Sequence, residues 1–154
     1  MRRPSKKSTL PKIWNIRRRP KFLSIKGLIN RLDNVYSKYK KLSNLSKEGY
    51  IRCFTCRGFF SYRQIDCGHF VSRIYMNTRY MEENTQPQCQ KCNRFLEGRK
   101  DVYALNLQKK YGADILQKLN DKKNEIRQFT ITELQEMIAS YKQKLKELTQ
   151  PRQE

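Results

Sequence analysis

The sequence predicts an α+β chain in which a small core of short strands lies between helical segments. Apolar residues recur at intervals of three and four after residue 23 and again after residue 100, which is the spacing of one helix face. Between these regions the periodicity stops, and all five cysteines of the chain lie there, between residues 53 and 92. Only 37% of the 154 residues are hydrophobic, so we expect part of the chain to remain outside any core.

An excess of basic residues indicates the kind of partner. The chain has 34 Lys and Arg against 14 Asp and Glu, a formal net charge of +20, which excludes an ordinary neutral enzyme surface. Nucleic acid is favoured over a membrane as the acidic partner because no lipid anchor or long apolar face accompanies the charge. The sequence contains neither a run of 18 apolar residues nor an apolar segment within its first 22 residues. We therefore expect a soluble intracellular protein without a membrane span or a secretory signal.

The N-terminal third carries most of the charge. Residues 1–52 hold 16 basic and two acidic residues. Residues 1–22 combine this charge with prolines and no periodicity, so they are predicted to form a flexible basic arm. Its cluster of Arg17, Arg18 and Arg19 is a candidate contact to DNA or RNA phosphates, which release counterions when they are neutralised. A solubilising tail or a basic import-like patch is the alternative.

A long amphipathic basic helix is predicted in residues 23–49. Its apolar side chains follow one face, its lysines and arginines occupy the others, and Ser24 and Gly49 mark its limits. We expect the apolar face to pack on the core and the basic faces to meet a partner, with an ordinary solvated surface as the alternative. The apolar face consists of Leu28, Ile29, Leu32, Val35, Tyr36, Tyr39 and Leu42.

Further helices are predicted toward the C-terminus, and residues 113–154 are assigned to them. The periodicity is broken near Gly112 and resumes in a last helix of about 18 residues. Thr130 and Glu133 have the spacing of a capping box at the start of this last helix. Its apolar stripe is expected to face the core or to form a dimer seam.

Four of the five cysteines form two Cys-x-x-Cys pairs, Cys53 with Cys56 and Cys89 with Cys92, separated by 32 residues. Two such pairs brought together make the tetrahedral sulfur site that structural Zn²⁺ prefers, with no open position for catalysis. Disulfides are disfavoured inside cells, and a redox Cys-x-x-Cys usually occurs singly. We therefore predict a structural zinc site, with an iron–sulfur cluster as the alternative. Cys67 is predicted to be a buried thiol, or else an alternative zinc ligand.

The segment around the cysteine pairs holds the candidate catalytic residues. His69 is the single histidine of the chain, and it follows residues 61–65, which are predicted to form a strand. Asn84 precedes the second cysteine pair, and Asn93 follows its last cysteine. A strand bearing a histidine, a loop bearing an asparagine and a helix that opens at the second pair form the layout of a ββα-metal nuclease. A structural histidine that pairs with Asp66 or competes for zinc is the alternative.

At these positions the chain resembles the phage recombination proteins of the NinG/Rap family, within the HNH endonuclease superfamily. The resemblance covers about residues 28–112, and in layout the chain is also distantly similar to the phage junction resolvase endonuclease VII. The resemblance implies a zinc-stabilised, HNH-like ββα-metal core in residues 50–112 and structure-selective cleavage of branched DNA such as D-loops and Holliday junctions. The motifs that carry it are Cys53-x-x-Cys56, Cys67-Gly68-His69-Phe70, the segment from Asn84 to Gly98, and Tyr111-Gly112.

The resemblance also implies a role for each polar residue. By position, His69 stands for the first histidine of the HNH pattern, Asn84 for its central asparagine, and Asn93 replaces the last histidine. A neutral imidazole suits a general base that deprotonates water. Mg²⁺ or Mn²⁺ would neutralise charge on the phosphate and the departing 3′ oxygen with only one or two protein oxygens as ligands, one from the Asn93 amide. Asn84 is expected to brace the loop and orient His69.

One departure from the family pattern concerns the catalytic metal. Gly68 stands where many of these nucleases have an acidic residue, so a carboxylate is expected from Asp66 or Glu97, or the metal is held weakly. Strand alternation puts Asp66 on the face opposite His69 unless Gly68 forms a bulge, while Glu97 shares a helix face with Asn93. Solvated surface is the ordinary alternative for both carboxylates.

Arginines beside the candidate site are expected to hold phosphates, although backbone contacts are made by many interchangeable cations. Recognition of branched DNA is then expected from charge and shape rather than base sequence. A homodimer is expected if two symmetric cuts are made, and phage or host recombination proteins are further candidate partners in the cytoplasm of a bacterial host. The arginines are Arg57, Arg63, Arg73 and Arg79.

Two functions without catalysis stay open. A recombination mediator would bind branched DNA without cutting it, and would bind it equally well as His69→Ala. An RNA-binding, ribosome-associated zinc protein would prefer single-stranded RNA and would leave the arrangement from Asn84 to Asn93 without a purpose.

Overall fold

The computed structural model describes residues 24–150 and confirms the α+β class. The predicted arm, with Arg17, Arg18 and Arg19, lies outside the described residues. Within the described part, no helix combines the length and apolar character that a membrane span requires. The helices are α1 (Ile25–Leu42), α2 (Met76–Arg79), α3 (Lys100–Tyr111), α4 (Ile115–Asn124) and α5 (Ile131–Thr149), and the strands are β1 (Tyr50–Arg52), β2 (Phe59–Ser61), β3 (Ile65–His69) and β4 (Thr85–Cys89).

Helix α1 begins where the sequence predicts it. The Ser24 hydroxyl accepts a hydrogen bond from a backbone N–H of the first turn. The helix ends at Leu42 rather than just before Gly49, because the Asn44 side chain donates to the Lys40 carbonyl at 2.8 Å and turns the chain there. Lys40 is only 5% exposed, so it does not belong to the basic surface of the helix.

Helices α1 and α5 lie against each other and enclose the largest apolar cluster of the described chain. The rings of Tyr36 and Tyr141 meet edge to face with their centroids 4.9 Å apart. Tyr80 and Phe129 close the cluster from the segments that follow β3 and α4. The apolar stripe of α5 therefore packs on the core, which is one of the two roles predicted for it.

The limits of the C-terminal helices are confirmed. The Glu133 carboxylate accepts from the Thr130 N–H at 2.7 Å, and the Thr130 hydroxyl accepts from the Glu133 N–H at 3.2 Å, which completes the predicted capping box of α5. Gly112 separates α3 from α4 with a φ of +99°, a backbone conformation that disfavours other residues.

The strands pair into two antiparallel ribbons, β1 with β2 and β3 with β4. In the second ribbon the pairing runs without a bulge from Ile65 opposite Cys89 to His69 opposite Thr85. The turn between β1 and β2 carries the first cysteine pair, and β4 leads into the second. The first cysteine pair thus lies on the first ribbon, while His69 and the second cysteine pair lie on or directly after the second.

Two local predictions were wrong. Residues 62–64 form a 3-10 turn rather than strand, because the Gln64 side chain accepts from the N–H and the hydroxyl of Ser61. The helix at the second cysteine pair is a single π-helical turn, Lys91–Phe95. It cannot continue because Glu97 and the two residues after it all have positive φ.

Candidate metal centre and adjoining cleft

Four cysteines, Cys53, Cys56, Cys89 and Cys92, converge where the two ribbons meet. Their Sγ atoms all lie within 4.8 Å of one another, and they form the one group of three or more potential His, Cys, Asp or Glu ligands found in residues 24–150. The Sγ atoms of Cys56 and Cys89 are 3.9 Å apart. A tetrahedral site with Zn–S bonds of about 2.3 Å has sulfur–sulfur edges of about 3.8 Å, so the donor set fits a structural zinc ion.

The backbone around the cysteines prepares them to hold a cation. The Cys89 N–H donates to Cys53 Sγ at 3.3 Å, and the Cys92 N–H donates to Cys89 Sγ at 3.5 Å. Burial raises the pKa of the Cys53 thiol, but hydrogen bonds from Thr55 and from backbone N–H groups lower it to a net value of about 6. Burial raises the pKa of Cys89 to about 12. A bound divalent cation would supply the positive charge that four thiolates need.

Cys67 lies outside this cluster, on β3. Burial raises the pKa of its thiol to about 12, so it is neutral at physiological pH. The residue lines the cleft described next and packs against the apolar cluster between α1 and α5.

A cleft of about 630 Å³ lies beside the metal centre. Its walls come from α1, from β3 and the loop that follows it, from the π-helical turn and from the start of α3. The side chains of five residues that the sequence selected line it together: His69, Asn93, Asp66, Glu97 and Arg73. Folding thus brings residues from 66 to 97, a span of 32 positions in the sequence, to one solvent-accessible cleft.

His69 ends strand β3 with both ring nitrogens near backbone carbonyls. Nε2 lies 3.0 Å from the Arg79 oxygen and Nδ1 lies 3.2 Å from the Cys67 oxygen. Burial lowers the pKa of the imidazole to about 4, and Arg73 adds a smaller repulsion. A neutral imidazole has one N–H, so it donates to one carbonyl and presents a lone pair at the other nitrogen. The shorter contact favours Nε2–H as the donor, which leaves Nδ1 as the basic nitrogen.

Asp66, Asn93 and Arg94 form a second hydrogen-bonded group in the lining of the cleft. The Asn93 Nδ2 donates to Asp66 at 3.1 Å, and Arg94 makes a bidentate pair with the same carboxylate at 2.6 and 2.7 Å. Because the Asn93 nitrogen is engaged, its Oδ1 is the atom available to a cation. Asp66 and His69 both border the cleft although the ribbon has no bulge. Donors on the π-helical turn hold the Asp66 carboxylate.

Glu97 reaches the cleft by a different route from the one predicted. The π-helical turn ends at Phe95, so Glu97 does not share a helix face with Asn93. Its own backbone, with a φ of +48°, turns the chain and leaves the residue on the wall of the same cleft.

Asn84 is fully buried and does not line the cleft. Its Oδ1 accepts from the Val71 N–H at 2.7 Å, and its Nδ2 donates to the carbonyls of Val71 and Thr78 at 3.1 and 2.9 Å. These bonds close the loop between β3 and β4. Asn84 makes no direct hydrogen bond to His69, so any influence on the imidazole passes through this loop, which also supplies the Arg79 carbonyl.

Packing explains why Gly68 carries no acidic side chain. A Cβ placed there would lie 2.1 Å from Oε1 of Gln88, far inside van der Waals contact. Gln88 is itself fully buried, with its Nε2 donating to the Gly98 carbonyl at 2.8 Å. An acidic residue at position 68 would require this buried amide to move. The packing of Gln88 therefore excludes the carboxylate that the resemblance leads one to expect before His69.

The four predicted arginines lie in different surroundings. Arg73 lines the cleft. Arg79 is held in a bidentate pair with Asp33 of α1, which occupies its guanidinium inside the protein and fixes the carbonyl that faces His69. Arg57 donates to the Asn106 side chain at 2.8 Å, and neither it nor Arg63 borders the cleft.

Two cations of the cleft were missed by sequence reasoning. Arg94 lies beside Asn93, and Lys100 comes from the first turn of α3. The Lys100 ammonium donates to the His69 carbonyl at 2.5 Å and also to the Phe70 carbonyl. Desolvation lowers the pKa of Lys100. No local motif marks these residues, because their role depends on contacts about 30 positions away in the chain.

The chain is similar in sequence to known bacteriophage proteins. The family model described as Bacteriophage Lambda NinG protein matches residues 6–152. Protein ninG of Escherichia phage lambda is 31% identical over 103 residues, which cover 66% of this chain and 50% of that protein. Protein ninG of Escherichia phage 933W and of Enterobacteria phage VT2-Sa are each 30% identical with the same coverage. The chain spans about half the length of these curated relatives. No solved structure matches it.

Proposed function

We propose that this chain, which belongs to the NinG family of bacteriophage proteins, is a metal-dependent endonuclease that cuts branched DNA. One observation carries the proposal: a neutral imidazole, an amide oxygen and a carboxylate border the same cationic cleft beside a four-cysteine centre. Groups of this kind, converging on one cavity, are what phosphodiester hydrolysis requires.

In this mechanism His69 is the general base. With Nε2–H donating to the Arg79 carbonyl, a small rotation of the ring takes Nδ1 away from the Cys67 carbonyl. The Nδ1 lone pair then takes a proton from a water molecule whose oxygen attacks phosphorus. The new P–O bond forms as the bond to the 3′ oxygen breaks, and the departing oxygen takes a proton from solvent. Arg73 and Lys100 lie where they can oppose the charge of the phosphate.

A divalent cation would add electrostatic stabilisation of the phosphorane-like transition state and of the leaving 3′ oxygen. Asn93 and Asp66 are the residues that would hold Mg²⁺ or Mn²⁺, with Glu97 as a further oxygen donor. Because Arg94 neutralises Asp66 in the free protein, the residues fit a weakly held ion rather than a permanently bound one.

The chain order of the core supports placement in the HNH superfamily. A histidine ends strand β3, an asparagine closes the loop before β4, and a second asparagine lies on the helical turn after β4. The first cysteine pair precedes these elements, and the second lies between the start of β4 and Asn93. We include this placement in the proposal, together with the branched DNA substrate and a homodimer that makes two symmetric cuts.

Cleavage of labelled four-way junction, D-loop and linear duplex tests the proposal. With Mg²⁺ or Mn²⁺ present, zinc-loaded wild type should nick near the branch, and His69→Ala should lower the cleavage rate by about 100-fold or more while junction affinity stays within about twofold. Asn93→Ala should cut slowly and recover partly at higher metal concentration. Asn77→Ala is the matched control because this asparagine lies outside the cleft. Equal rates for wild type and His69→Ala would contradict the role of His69.

A non-catalytic, branched-DNA-binding recombination mediator is the second candidate. Two observations favour it: both ring nitrogens of His69 face carbonyl oxygens, and Asp66 is neutralised by Arg94. Tight junction binding by wild type with no nicking in either metal would select the mediator over the nuclease.

A further inference from the structure

Two large apolar side chains stand in solvent beside the cleft. Phe95 is 78% exposed and Ile74 is 75% exposed. Each directly follows an arginine that lines the cleft, Phe95 after Arg94 on the π-helical turn and Ile74 after Arg73 on the loop beyond β3. Single exposed apolar residues are common on protein surfaces. Here the cleft has two such residues on separate chain segments, and each directly follows an arginine that lines the cleft. The general frequency of exposed apolar residues does not explain this repetition.

Both side chains are displayed from fixed backbone. The π-helical turn that carries Phe95 also carries Cys92, and the Gly98 N–H donates to the Cys92 carbonyl at 2.9 Å, so the metal centre anchors this turn. Ile74 lies in a turn closed by the Ser72 carbonyl, which accepts from the Tyr75 N–H at 3.2 Å. An apolar group held in place by its backbone loses little conformational freedom when it binds.

We propose that Phe95 and Ile74 enter the open base step at a DNA branch point while the flanking phosphates are held by Arg73 and by Nη1 of Arg94, the guanidinium nitrogen that does not contact Asp66. This proposal rests on the proposed function, in which DNA is the substrate of the cleft. The feature that would distinguish a branch from a duplex is an exposed base face. Inside a duplex each base face is covered by its neighbour, and separating a step costs a few kcal/mol. At a branch the terminal base pairs have already lost a stacking neighbour, so an apolar side chain covers an exposed base face at little cost. Such a contact selects shape without reading base sequence.

Fluorescence of 2-aminopurine tests this contact. The full zinc-loaded chain is titrated into a four-way junction that carries the probe either at the branch or in the middle of an arm. Mg²⁺ and Mn²⁺ are left out so that no cutting occurs. Wild type should change the branch probe and leave the mid-arm probe unaltered. Phe95→Ala should lose the change and about tenfold of the preference for junction over linear duplex, Ile74→Ala should lose a smaller part, and Phe95→Trp should keep both.

Two variants are matched controls for exposed apolar area. Phe59 is 67% exposed on β2 and Ile126 is 96% exposed between α4 and α5. Neither is next in sequence to a residue that lines the cleft. Phe59→Ala and Ile126→Ala should behave as wild type. The proposal is overturned if Phe95→Ala keeps the wild-type junction preference and probe response, or if it weakens duplex and junction equally. A larger Phe95-dependent response on an RNA hairpin loop than on the junction would also overturn it.

The outcome is separable from that of the proposed nuclease. A wild type that never cuts but shows the Phe95-dependent branch signal supports the branch contact and removes the nuclease. A wild type that cuts junctions, with Phe95→Ala cutting them at the same preference over duplex, removes the branch contact and leaves the nuclease.

Discussion

Replacing Asn84 with alanine measures how strongly one buried amide holds the loop that positions His69. The amide makes three hydrogen bonds, one from the Val71 N–H and one each to the carbonyls of Val71 and Thr78. At about 1 kcal/mol for each bond, its loss should lower the free energy of unfolding by about 3 kcal/mol. For a domain of this size that corresponds to a fall in Tm of about 10 °C. Thermal unfolding at a fixed excess of zinc gives the value, since ligand concentration alone shifts Tm.

Two variants bracket this result. Asn77→Ala removes the hydrogen bonds that a more exposed asparagine of the same loop donates to Glu125, the shorter at 2.8 Å, and should lower the free energy of unfolding by no more than about 1 kcal/mol. Asn84→Asp keeps the acceptor for Val71 N–H but turns a carboxylate oxygen toward two carbonyls, so at pH 8 it should destabilise at least as much as alanine.

The reasoning fails in two distinguishable ways. If Asn84→Ala destabilises no more than Asn77→Ala, the amide does not hold the loop. If it destabilises as expected, yet cuts junctions at the wild-type rate at a temperature where both proteins are folded, the loop holds the fold without positioning His69.

Three further predictions concern the metal centre and the cleft. Elemental analysis should find one zinc per chain in wild type and in Cys67→Ser but none in Cys89→Ser, which should also unfold at lower temperature. Zinc retained by Cys89→Ser would refute the four-cysteine site. Because burial lowers the pKa of His69 to about 4, below the usual value of about 6.5, the unfolded chain takes up this proton first as pH falls. Stability from the neutral imidazole is therefore present above about pH 6.5 and lost toward pH 4. The free energy of unfolding in urea should differ less between pH 5 and pH 7.5 for His69→Ala than for wild type. An equal difference in the two proteins would contradict the burial of a neutral imidazole. Arg94→Gln should free Asp66 and strengthen Mn²⁺ binding to the DNA-free protein by about fivefold in an electron paramagnetic resonance titration. Adding Asp66→Asn to this variant should remove the gain. Unchanged Mn²⁺ binding in Arg94→Gln would show that the ion pair does not limit the metal site.

Local sequence patterns predicted the parts of the fold that local interactions control. Ser24 caps α1, and Thr130 with Glu133 caps α5, because each cap joins groups three residues apart. The predicted limits of helices and strands failed where a polar side chain formed a hydrogen bond with a nearby backbone group. The Asn44 side chain ends α1 early, and Gln64 converts an expected strand into a turn.

The sequence selected residues of the candidate site but did not predict how they are arranged. Motif spacing identified His69 and Asn93 as residues of one site, and they do line one cleft. It did not identify Lys100, whose partners are the carbonyls of His69 and Phe70, nor Gln88, which closes the position of Gly68. These relationships depend on which segments pack together, and neither a helical nor a strand period encodes that.

By itself, the sequence determined the helical segments, the two cysteine pairs and the excess of basic residues, because each follows from composition, local periodicity or motif spacing. Membership of the NinG family follows from the similarity of the whole sequence to that family. The tertiary structure alone decided that Asp66 is paired with Arg94, that Arg79 is used within the protein, and that Phe95 and Ile74 stand beside the cleft. The physical reason is that charge pairing, burial and exposure are properties of side chains brought together from distant parts of the chain.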